Sequence, residues 1–114
     1  MNHQKLKCYG LLLEVAKRMP SLIGGLPRGH SYLVDQLNRA LSSAVLNLSE
    51  GNGRRSRRER ARFFDISLAS IAESSSCIDI LEAYRLIPIP TGNELRSQLQ
   101  IAYAMIIKLR RSGI

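Results

Sequence analysis

With 114 residues, 45% of them apolar and 23% charged, the chain is one globular domain with a single continuous core. Tryptophan is absent and aromatics reach only 5%, so that core is aliphatic. A net charge of +8 and a pI of about 10.2 point to anionic partners, nucleic acid before an acidic membrane surface.

Two lone cysteines, Cys8 and Cys77, argue against a disulfide scaffold. Without a CxxC or Cys/His cluster they also argue against a metal site, and read as buried reduced thiols in a cytoplasmic protein. The apolar run Leu11 to Leu13 is too short for a signal peptide, and no membrane-spanning run follows.

From His3 to Met19, apolar residues fall at Leu6, Tyr9, Leu12, Leu13, Ala16 and Met19. That spacing predicts an amphipathic helix with Lys5, Glu14, Lys17 and Arg18 outward. Pro20 ends or bends it. Residues 20–29, PSLIGGLPRG, read as a connector with room for one helical turn. A second helix is expected from Ser31 to Glu50, with Leu33, Leu37, Ala40, Leu41, Ala44 and Leu48 as its core stripe and Asp35–Arg39 as an exposed i,i+4 pair. Gly51 or Gly53 takes a left-handed C-terminal cap. Ser56, with Glu59 three residues on, makes a capping box that opens the third helix, Arg57 to Leu86.

On that third helix Phe64, Leu68, Ile71 and Ile78 form one stripe. Phe63, Ile66, Ser70, Cys77, Leu81 and Tyr84 form a second, roughly 120° away. Ala61, Ala69, Ala72, Ser76 and Ala83 keep the remaining side small. A surface helix needs one apolar stripe, so this one is expected to be buried within its own subunit and against another chain. Pro88 and Pro90 end it, and Thr91 with Glu94 supplies a second capping box. The fourth helix runs to Arg111 with Leu95, Leu99, Ala102, Ile106 and Leu109 inward, while Ile101 and Met105 lie off the stripe and suit an interface. Lys108, Arg110 and Arg111 match the negative end of the helix dipole. No strand alternation and no internal repeat occur. The fold class is all-α, an antiparallel up-down-up-down four-helix bundle, as one domain over residues 1–114.

Catalytic constellations are missing from this pattern. His3 and His30 have no partner at metal-ligand spacing, and the carboxylates Asp65, Glu73, Asp79 and Glu82 do not share a face. Ser74, Ser75 and Ser76 lack a histidine base. Gly51-Asn52-Gly53 lacks the strand, later glycine and Lys-Ser/Thr pair of a phosphate loop. Neither catalysis, metal nor cofactor is read here.

The polar feature that needs an explanation is the set Arg54, Arg55, Arg57, Arg58, Arg60 and Arg62. Between Gly51 and Arg62 there are six Arg and one Glu, +5 of the chain's +8. Arg57, Arg58 and Arg60 fall in the first turn of a helix, the positive end of its dipole, where cations are unfavourable. A polyanion is the partner this arrangement fits. The structural alternative is neutralisation by Glu50, Glu59 and Asp65, or by acids of a neighbouring subunit. No aromatic residue interleaves with the arginines, so contact is expected with an RNA or DNA backbone rather than with bases.

Gln36-Leu-Asn-Arg-Ala40, Asn47-Leu-Ser-Glu-Gly51, Arg54, and the run from Arg62-Phe63-Phe64 to Ala69-Ser70-Ile71-Ala72-Glu73 resemble a known family. It comprises bacterial four-helix-bundle proteins often encoded within intervening sequences of large-subunit ribosomal RNA genes, with the pattern Q-L-x-R-A, N-I-A-E-G and r-F-L-x-I-A-x-G-S-x-x-E. Ser49 stands where the family usually has Ala, and Ala69 where it has Gly. The resemblance is clear over the second and third helices and looser over the first and fourth. It implies a homopentamer with a central pore, as in the related accessory variability determinant proteins of diversity-generating retroelements. Those relatives are basic, bind nucleic acid and associate with a reverse transcriptase. Within the motif, Glu50 is expected to pair with Arg54 or Arg57, and Asn47 to cap or cross-link helices beside Gly51.

Two expectations result. In the first, the protein is a non-enzymatic homo-oligomeric adaptor whose arginine turns bind RNA or a DNA/RNA hybrid and hold a reverse transcriptase on it. In the second, it is a structural homopentameric assembly protein whose arginines bridge subunits, with no nucleic-acid role. Neither involves a cofactor or a membrane.

Overall fold

The computed structural model describes residues 3–112 as five helices: α1 (His3–Lys17), α2 (Met19–Gly24), α3 (Ser31–Gly53), α4 (Arg57–Ala83) and α5 (Ile89–Ser112). No strand occurs among the described residues. The four long helices form the expected antiparallel up-down-up-down bundle, 45 × 22 × 19 Å, in which each packs on two neighbours in the cyclic order α1, α3, α4, α5. Side-chain bonds fix the register. On α3 and α4, Ser67 Oγ donates to the Ala44 carbonyl at 2.7 Å, Ser70 Oγ to Ser43 Oγ at 2.7 Å, and Gln36 Nε2 to the Glu73 carboxylate. On α1 and α5, Cys8 Sγ donates to the Ala102 carbonyl at 3.6 Å and Arg18 Nη2 reaches Glu94 at 2.8 Å.

The stripes expected on α3 and α5 are the buried ones. That on α1 is rotated: Cys8, Leu12 and Val15 point inward, followed by Met19 at the start of α2, whereas Leu6 is 54% exposed. Three consecutive leucines give this helix two nearly equivalent apolar faces, and packing selects the one that includes Val15. The chain breaks ahead of Pro20 as expected: α1 stops at Lys17 and Pro20 sits in the first turn of α2, where its missing N–H costs nothing.

Two cap assignments are corrected. Neither Gly51 nor Gly53 is left-handed; α3 continues through both and stops at Arg54, whose backbone is extended. A Cβ built on Gly51 would lie 2.5 and 2.6 Å from Cε1 and Cδ1 of Phe64, so this glycine exists for close approach between α3 and α4. Thr91 does not cap α5, because the helix already starts at Ile89 with Pro90 in its first turn. Ser56 does cap α4, accepting from the Glu59 N–H at 3.3 Å. At its other end α4 closes in a Schellman motif: Leu86 N–H bonds to the Leu81 carbonyl and Arg85 N–H to that of Glu82, both at 2.9 Å. Arg85 holds the left-handed position there, φ 58°.

The inward face of α4 carries Phe64, Ser67, Ser70, Ile71, Ser74, Cys77, Ile78 and Leu81. Its buried hydroxyls are satisfied, Ser74 by the Ser70 carbonyl at 2.9 Å, so small polar residues let α3 and α4 approach without orphaned groups. The second stripe splits. Ser70, Cys77 and Leu81 join the core, while Ile66 (39% exposed) and Tyr84 (55%) stay outside with Ala69, Ala72, Ile80 and Ala83. No described helix is long and apolar enough to cross a membrane.

Candidate nucleic-acid interface

The arginine run occupies the turn at residues 54–56 and the first turns of α4. Arg57, Arg58 and Glu59 follow the Ser56 cap directly, so the cations do face the positive end of the α4 dipole. The six are not equivalent. Arg54 donates to Glu50 at 3.0 Å, lies 4.0 Å from Glu59, and stacks over the Phe63 ring at 5.0 Å. Arg62 lies over the same ring at 4.9 Å. A guanidinium over a ring is oriented without being neutralised, unlike one facing a carboxylate. Arg57 Nη2 reaches the Arg111 carbonyl at 3.4 Å, and Arg60 Nη1 the Arg55 carbonyl at 3.2 Å. Arg55 and Arg58 are exposed.

The motif residues settle into structural positions. Glu50 pairs with Arg54, not Arg57. Asn47 links no helices: its Nδ2 donates to the carbonyl and hydroxyl of Ser43, one turn back on α3. The inter-helix link at this level is instead Ser43–Ser70. Gly51 is buried beneath Phe64.

Bundle topology adds residues that local reasoning left aside. The start of α1, the end of α3, the start of α4 and the end of α5 share one half of the bundle, which therefore also holds Lys5, Lys7, Lys108, Arg110 and Arg111; the last two contact α4 directly, at Asp65 and Arg57. Asp65 is held by Arg110 through two bonds, 2.6 and 3.1 Å, which raise the guanidinium's already high pKa further. This half of the bundle thus carries eleven of the seventeen Lys and Arg but three of the nine acids, the full +8. The opposite half holds six cations and six acids, among them Arg96 between Asp79 at 3.0 Å and Glu82 at 2.6 Å. The three acids of the basic end, Glu50, Glu59 and Asp65, are engaged by Arg54 and Arg110. Local sequence matched Lys108, Arg110 and Arg111 to the α5 dipole and stopped there; the antiparallel connectivity was the signal that could have joined them to the turn.

Among the described residues no group of His, Cys, Asp and Glu could hold a metal ion. A cavity of about 930 Å³ lies at the neutral end, lined by Asp79, Glu82, Arg85 and Arg96 with Leu86 to Ile89. Of its charged groups, Asp79 and Glu82 are paired with Arg96.

A family model described as 23S rRNA-intervening sequence protein matches residues 4–108. A solved structure of a protein of unknown function from the S23 ribosomal protein family of Bacteroides thetaiotaomicron VPI-5482 superposes with a TM-score of 0.85. It is 17% identical, over 95% of this chain and 98% of that one, a likeness of fold. A comparison with curated proteins gives no match.

Proposed function

The chain belongs to the 23S rRNA-intervening sequence protein family, and from that premise we propose that it is a non-enzymatic adaptor gripping RNA or DNA by the phosphate backbone. One observation carries this reading: the entire +8 sits in one half of the bundle, densest at the arginine turn, where the few carboxylates are already engaged. Such a surface attracts a polyanion through counterion release, independent of sequence. In this reading the adaptor holds a polymerase, such as a reverse transcriptase, on its template.

The test replaces Arg55 and Arg58 with Glu, sparing Arg54, which is tied to Glu50 and Phe63. Wild type is expected to bind oligonucleotides with an affinity that falls steeply as salt rises. The double variant loses tenfold or more at low salt, with a log–log slope shallower by about 0.7–0.9 per lost phosphate contact. Its circular dichroism stays that of wild type. Equal binding by both proteins would sink the reading.

The outward face of α4 favours a second component, self-association. Ile66 and Ile80, each 39% exposed, stand among Ala69, Ala72 and Ala83 on one side of a helix. A homopentamer assembled there would repeat the basic end around an axis and multiply weak contacts. Light scattering decides it: a stable 12.8 kDa monomer at micromolar concentration removes the oligomer from the proposal.

A further inference from the structure

We propose that the basic end accepts duplex nucleic acid in preference to a single strand, an inference that rests on the backbone-binding reading above. The cations do not lie along a line. They come from four chain segments, the start of α1, the turn after α3, the start of α4 and the end of α5, around a bundle 22 × 19 Å in cross-section. A single strand is a thread and passes beside the cations of only one or two of these segments. A duplex offers charge in two dimensions, with strands separated by grooves about 6 and 12 Å wide.

Charge density agrees. Over 22 Å a duplex carries about 13 phosphate charges at one per 1.7 Å of axis, roughly half of them on the facing side, close to the +8 available. A strand crossing the same span presents about six charges in a row, most of them out of reach of the cations on the other segments.

Around the arginine turn the aromatic chemistry of single-strand binding is also missing. Such sites stack successive bases on exposed rings. Phe63 is half-buried and already lies under Arg54 and Arg62 at 5.0 and 4.9 Å; Phe64 is wholly buried. Tyr9 is half-buried against the core. Tyr103, 37% exposed, lies in the same half but about two and a half turns back from the end of α5, beside Ala72 and Gln100, a single ring that cannot stack successive bases. Phe63 thus serves to orient two guanidiniums for phosphate rather than to receive a base.

The experiment compares a labelled 20-base strand without self-complementarity, as DNA and as RNA, with the same strand annealed to its complement. Fluorescence anisotropy is read at several salt concentrations with the full chain. The expected result is duplex binding at least tenfold tighter at about 0.1 M salt. The expected log–log slope is near −5 for duplex against about −2 for the strand, from roughly six and three contacts. A preference in the DNA pair, the RNA pair or both supports the inference. Equal or tighter binding of the single strand overturns it and leaves backbone binding standing. Salt-insensitive or absent binding of every probe overturns the backbone reading itself.

Discussion

Replacing Gly51 with Ala adds one methyl group where α3 meets α4, and the structure sets the outcome. The new Cβ would lie 2.5 and 2.6 Å from the Phe64 ring, which has no exposure and is enclosed by the core, so it cannot swing outward. Overpacking of this kind costs about 1–3 kcal/mol. Alanine recovers about 1 kcal/mol of helix propensity over glycine. The net expectation is a loss of up to about 2 kcal/mol, seen as a lower urea midpoint with unchanged m-value and a Tm lower by about 4 °C per kcal/mol. Gly53→Ala is the internal reference. Two residues on, its Cβ meets nothing within 4 Å, and the position is not left-handed, so it should be neutral or stabilising. Phe64→Leu combined with Gly51→Ala should show favourable coupling in a double-mutant cycle, since the smaller side chain makes room for the methyl. If Gly51→Ala proves as stable as Gly53→Ala, the close-approach explanation of Gly51 is wrong.

Arg85→Gly relieves a left-handed backbone position in the Schellman motif and should raise stability by about 0.5 kcal/mol or more, measured by chemical denaturation. Burial pushes the Cys8 thiol up to about 12, so the fold favours its protonated form. That stability is complete below the unfolded thiol's pKa and is lost as pH rises through 9 toward 12, about 1 kcal/mol by pH 10. Cys8→Ala should flatten this part of the pH profile, and the native thiol should resist thiol reagents at pH 8. Asp65→Asn releases Arg110 from its carboxylate and adds one positive charge to the basic end. Tighter polyanion binding is expected, with a log–log slope steeper by about 0.7–0.9 and an unchanged helical signal; weaker binding would contradict the placement of Arg110 on that surface.

Helix number and order were legible because α3 and α5 each carry a single unambiguous apolar stripe, and because Gly and Pro cluster between the periodic segments. Leu11 to Leu13 offered α1 two faces, and only the positions of α3 and α5 choose between them. Gly51 was misread because glycine has two uses, positive φ and a missing Cβ, which look identical in sequence. Thr91 and Glu94 had the letters of a capping box, but Pro90 already suited the first turn of a helix that starts earlier. The arginine cluster stood out by composition alone. Its internal division did not: Arg54 is tied to Glu50 and Phe63, whereas Arg55 and Arg58 face solvent. Phe63 was invisible as an organiser because it follows the arginines instead of interrupting them.

A rod 45 Å long with its net charge in one half responds to a distant field by turning before it arrives. Near a polyanion the charged tip is drawn forward and the balanced tip trails, so encounters are biased toward the end-on pose and fewer collisions are wasted. At about 0.1 M salt the screening length is about 10 Å. The torque therefore acts only in the last stage of approach, and the trailing tip lies several screening lengths from the contact. Ionic strength thus sets how strongly the charged half is drawn in, while the balanced half presents no net charge for a distant field to act on.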